Sequence, residues 1–188
     1  MTFSLNEVEA QAKKAARGAG YSWGMAEEAG KATRWLCAQG VDGVATLAAL
    51  LTDAPNAESC TLRQGARLSD RAMLERSDSR ALHRITQPIL LMPFVASMAR
   101  QKQMSQELRW DGGQAQTDGT SLWLSDDAPD HADSVTVTKC SISLSSRTPH
   151  SRANPMPEAW RVLSEFAHRT YAPATEESRR LGAGDSQT

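Results

Sequence analysis

Residues 107–127 read ELRWDGGQAQTDGTSLWLSDD, and this stretch decides the fold. Asp111-Gly112 and Asp118-Gly119 are turn pairs set between short alternating runs, the pattern of antiparallel hairpins. Downstream, SVTVTKCSISL (134–144) alternates almost strictly. A small antiparallel sheet therefore follows Glu107, whereas the chain before Met104 keeps a helical period. PEAWRVLSEFAHRTY (157–171) returns to that period, with Trp160, Leu163, Phe166 and Ala167 on one face. The fold class is α+β: an N-terminal helical unit, a central small antiparallel sheet and a C-terminal helix. Residues 1–181 form a single domain and 182–188 a flexible tail.

Working outward to the N-terminus, Ser4 and Glu7 have capping-box spacing, and Phe3 and Val8 stand where a hydrophobic staple would close the same helix end. A helix over Leu5 to Arg17 ends at Gly18. A second runs from Trp23 to Gln39 with Ser22 as its cap, and a third lies between Asp42 and Leu51. Arginines at 63, 67 and 71, and again at 76, 80 and 84, repeat every four residues and would line a solvated helix face. PILLMPFVASMA (88–99) is too short to span a bilayer and reads as core.

The 188 residues carry 21 Lys and Arg against 22 Asp and Glu, a net charge of -1. That balance excludes a global field drawing the protein to nucleic acid or to an anionic membrane. Cys37, Cys60 and Cys140 are scattered and odd in number, which argues against a disulfide framework or a zinc knuckle. No secretory signal is visible, so the expected compartment is the cytoplasm. Asp130, His131 and Asp133 lack a second ligand cluster, so no metal is expected, and no cofactor motif is present.

Two stretches could bind an anion. RGAGYSWG (17–24) precedes the second helix, whose free amides and positive dipole end suit an anion, and Arg17 adds a charge. Gly20, Tyr21 and Trp23 complete that candidate site. AHRTYAPATEESRRLGAG (167–184) supplies His168, Arg169, Tyr171 and Arg179 as donors. The plain reading of both is structural: Gly18 and Gly20 make a corner while Tyr21 and Trp23 pack inside, and the second stretch is a helix end followed by a turn.

These same stretches, SLNEVEAQAKKAARGAGYSWGMAEEAGKATRWL and LSEFAHRTYAPATEESRRLGAG, resemble an uncharacterised bacterial family, domain of unknown function 3726. PFVASMAR and RWDGG carry a looser likeness. The resemblance implies a soluble bacterial protein and brings no activity, substrate or catalytic residue with it. The sequence thus leaves the function unknown. Its favoured reading is a soluble protein that binds a small anionic metabolite, as an accessory protein or a cofactor-free enzyme. The alternative is a structural or interaction module acting through a homodimer or partner interface.

Overall fold

Ser4 starts the first helix by reciprocal hydrogen bonding. In the computed structural model, which describes residues 1–74, 79–141, 144 and 148–170, the Glu7 N–H donates to Ser4 Oγ and the Ser4 N–H donates to the Glu7 carboxylate at 2.7 Å. Two otherwise orphaned amides are satisfied this way. Strand β1 (Phe3–Ser4) therefore turns directly into α1 (Leu5–Gly18), which buries Val8, Ala12, Ala15 and Ala16. Phe3 stacks on Trp160 with ring centroids 3.7 Å apart.

Small residues let the next helices close tightly. In α2 (Trp23–Ala38), a Cβ on Gly30 would come within 2.9 Å of the Glu9 carbonyl oxygen of α1. In α3 (Gly43–Asp53), a Cβ on Gly43 would lie 2.6 Å from the Thr33 carbonyl oxygen. Asp42 caps α3 by accepting the Ala45 N–H at 2.9 Å.

Two further helices, α4 (Thr61–Asp70) and α5 (Met92–Lys102), follow, with the first strand of the central sheet, β2 (Ser79–Thr86), between them. The 3-10 turn Pro88–Leu91 leads into α5, and the apolar run there is core. The second arginine series is thus not helical: Arg63 and Arg67 lie on α4, Arg80 and Arg84 on β2, and position 76 outside the described residues. A long-range partner overrides the local period here. That partner is β6 (His131–Lys139), reached after β3 (Gln106–Trp110), β4 (Gly113–Thr117) and β5 (Leu122–Leu124).

The sheet is antiparallel throughout, in the order β2-β6-β3-β4-β5. Asp111 and Gly112, the latter at φ +83°, make the β3–β4 turn. One face presents Leu108, Trp110, Ala115, Val135 and Val137 to the helices. The opposite face is polar: Glu107 accepts from Arg109 and from Gln116, each at 2.7 Å. β6 begins at His131, so the loop between β5 and β6 is shorter than the acidic run SDDAPDHADS.

Strand β7 (Arg152–Ala153) pairs with β1, and α6 (Pro157–His168) packs on α1 and α3. The ends of the chain are joined through Gly18, where a Cβ would collide with the Phe166 carbonyl oxygen.

Candidate functional site

The corner at residues 18–22 is built by its own side chains. Gly20 takes φ +94° with nothing within 4 Å of where its Cβ would be, so backbone conformation alone calls for glycine there. Arg17 donates from its guanidinium to the Tyr21 carbonyl and lies over the Trp23 ring, 4.6 Å from its centroid. Lys13 approaches the same ring at 5.8 Å. Trp23 remains 65% exposed. Tyr21 is buried with its hydroxyl 3.3 Å from Cys60 Sγ, and burial, followed by that hydrogen bond, pushes its ionisation above the ordinary phenol value.

Arg17, Gly20, Tyr21 and Trp23 are therefore brought together, and the close approach at Gly18 sets the end of α6 beside them. There Arg169 lies over the Phe166 ring at 4.3 Å, and a Cβ on Gly18 would be 3.4 Å from Arg169 Cβ. His168 is exposed on the last turn of α6. Tyr171 and Arg179 lie outside the described residues, as does the 182–188 tail. The charge of Arg17 is directed at a carbonyl and an aromatic face of the corner itself.

The N-terminus of α2 opens instead onto a groove of about 690 Å³ between α2, α4 and α5. Its floor is apolar, made by Met25, Ala32 and Trp35 of α2, Ala66 of α4, and Pro93 and Phe94 of α5. α4 can approach Phe94 only because position 65 is glycine: a Cβ there would overlap the ring. Around the floor are Ser22, Gly24, Glu28, Lys31, Asp70 and Arg100, and the paired hydroxyls of Ser69 and Ser97, 3.3 Å apart.

Local bonds fix the charges on this rim. Lys31 donates to Glu28 at 2.8 Å, and that hydrogen bond raises the pKa of the lysine. Arg100 donates to the Gly119 carbonyl, which ties the rim to the turn between β4 and β5. Ser22 accepts the Met25 N–H at 3.4 Å, ordering the first turn of α2. The volume of this groove, whose lining is about half polar, falls within the range of small-molecule sites.

Within the acidic run, Asp130 and His131 make contacts to the residues at and just after the end of β2. Asp130 accepts from the Gln87 side chain at 2.8 Å, and the Thr86 hydroxyl donates to Asp53 at 3.2 Å while lying 3.5 Å from His131 Nδ1. Among the described residues no group of three or more His, Cys, Asp or Glu is placed to hold a metal ion, and no helix is long and apolar enough to cross a membrane.

Trp35, Phe94, Ser97 and Arg100 are absent from the sequence-derived candidate site. They converge only when three helices separated in sequence pack together, and each one read locally is an ordinary helix residue. The one local sign was PFVASMAR (93–100), where a serine and an arginine punctuate an apolar run.

No curated protein and no solved structure matches the chain. Residues 3–87, from β1 to just past β2, match the model of a family described as a protein of unknown function (DUF3726), and over that span the chain is similar to it.

Proposed function

We propose that this is a soluble cytoplasmic binding protein whose ligand, a small molecule with an anionic group on an apolar body, sits in the groove between α2, α4 and α5. The observation that carries the reading is the joining of three features in one groove of about 690 Å³: an aromatic floor at Trp35 and Phe94, the capped N-terminus of α2, and Arg100 on the rim. A helix N-terminus contributes about 0.3–1 kcal/mol towards an anion. A charge-assisted hydrogen bond from arginine contributes about 1.5–3 kcal/mol. Burial of an apolar body adds about 25 cal/mol per Å² removed from water. Together these support micromolar to millimolar binding after the cost of association. In this reading Arg17, Gly20, Tyr21 and Trp23 build the corner that precedes α2 and do not touch the ligand.

The test is a thermal-shift and calorimetric screen of aliphatic and aromatic carboxylates and phosphate monoesters. Arg100→Gln removes the charge, and Gly24→Leu adds a side chain at the mouth, where a Cβ meets nothing within 4 Å. The expected result is a stabilising ligand whose effect is lost in both variants and kept in Arg17→Ala. A panel without any stabilising compound, or equal responses in wild type and Gly24→Leu, refutes the reading.

A second reading, an interface with a partner or a second copy, is favoured by the exposure of Trp23 (65%), Met73 (68%) and Leu74 (81%).

A further inference from the structure

The free edge of β2 borders a cleft of about 530 Å³ whose opposite wall is α4, with Ala81, Leu82, His83 and Arg84 on one side and Gln64 and Arg67 on the other. Among the described residues the only strand paired with β2 is β6. In an antiparallel pair alternate residues turn their N–H and C=O groups away from the partner, so Ala81 to His83 present to this cleft an edge that no described strand pairs, and Arg84, at φ +54°, ends the extended run as a bulge does. The extended edge is about 10 Å long at roughly 3.3 Å per residue. At its far end the chain has already filled the next position. Thr86 donates its N–H to the Ser59 carbonyl at 3.2 Å, its carbonyl accepts from the Thr61 hydroxyl, and Cys60 bridges Thr86 in the parallel sense. The cleft is thus a slot that is closed at the Thr86 end.

The charges along the slot are mostly basic. Arg67, His83 and Arg84 are exposed, and the acid facing them, Glu58, stands 4.0 Å from Arg84 in a pair that is open to solvent on both sides. Exposed charges commonly protect an edge strand from unwanted pairing. Here they also select. An acidic strand would meet the opposite field.

We propose that the slot between β2 and α4 docks an extended, acidic segment of a partner protein, which adds a strand to the sheet along Ala81 to His83, with Arg84 at the end of the paired run. Main-chain hydrogen bonds would provide general affinity, and Arg67 and Arg84 the preference for acidic side chains. This surface is separate from the α2–α4–α5 groove and does not depend on it.

The test is selection of a displayed library of random 12-residue segments against the full chain, followed by amide hydrogen exchange with a selected segment bound. Acidic segments should be enriched, and should slow exchange of outward-facing amides within residues 81–84. The exposed double variant Arg67→Glu, Arg84→Glu should bind them at least tenfold more weakly while keeping the wild-type melting temperature. The proposal is overturned if no segment is enriched, if enriched segments protect no amide of β2, or if the double variant binds them equally well. It is also overturned if the free chain already protects these amides, either in a concentration-dependent dimer or by shielding that disappears when residues 171–188 are removed.

Discussion

The Tyr21 hydroxyl lies 3.3 Å from the Cys60 Sγ, joining the corner before α2 to the residue that precedes α4. Both residues are buried, and Arg63 of α4 stands 5.7 Å from the Tyr21 ring. The corner is thereby fixed from inside the core, while its outer side carries the Arg17–Trp23 stack.

Tyr21→Phe removes this bond and leaves the thiol without its partner, at a cost of about 0.5–1.5 kcal/mol at neutral pH. The folded state raises the Tyr21 ionisation above the ordinary phenol value of 10.0, so its contribution is complete below pH 10.0 and is lost as pH rises beyond it. Urea titrations at pH 8 and above pH 10 check this: the wild-type advantage over Tyr21→Phe should shrink at the higher pH. An advantage that is constant or grows with pH contradicts the assignment.

Two glycines should respond oppositely to alanine. At Gly18 the new methyl meets the Phe166 backbone carbonyl, which cannot swing aside, so Gly18→Ala should destabilise by on the order of 1–3 kcal/mol or displace the end of α6. At Gly24 a Cβ meets nothing within 4 Å and the backbone is helical, so Gly24→Ala should stabilise by about 0.5–1 kcal/mol. Chemical denaturation of the pair measures both signs.

Ser4→Ala should cost about 1 kcal/mol through loss of the N-cap. The backbone hydrogen bond from Ser4 lowers the pKa of Glu7 below 4.5, so the part of the cap that involves this carboxylate is present above pH 4.5 and fades as pH falls through the lowered value. Denaturation at pH 7 and pH 3 should show the difference between wild type and Glu7→Gln narrowing at the lower pH.

Features encoded within a few residues were legible in the sequence. The Ser4/Glu7 box, the Ser22 cap, the third helix just after Asp42 and the Asp111-Gly112 turn all form where the local chemistry places them. β2 was not legible, because its helical arginine spacing competes with a pairing to Val135 and Val137 that lies more than fifty residues away. The stack of Phe3 on Trp160 was not legible for a similar reason: the two rings are more than 150 residues apart in sequence. The groove was hidden because Trp35, Phe94 and Arg100 acquire a common purpose only through the packing of α2, α4 and α5.

The turn between β4 and β5 should control the groove at a distance. Gly119 has φ +99°, its carbonyl accepts from Arg100, and a Cβ there would lie 2.6 Å from Arg100 Cγ. Gly119→Ala therefore does two things: it strains the turn and it pushes the Arg100 side chain off its support. Gly20→Ala supplies the control, since Gly20 has a similar φ of +94° but open space around its Cβ, so that variant reports backbone strain alone. Both variants should lose about 1–3 kcal/mol of stability. Only Gly119→Ala should also weaken the best carboxylate or phosphate ligand, by about tenfold, the equivalent of one charge-assisted hydrogen bond. Calorimetric titration of the two variants side by side separates strain from loss of the arginine. If Gly119→Ala binds as tightly as Gly20→Ala, Arg100 does not hold the anion, and the charge of the ligand must be met by Lys31 or by the amides of α2.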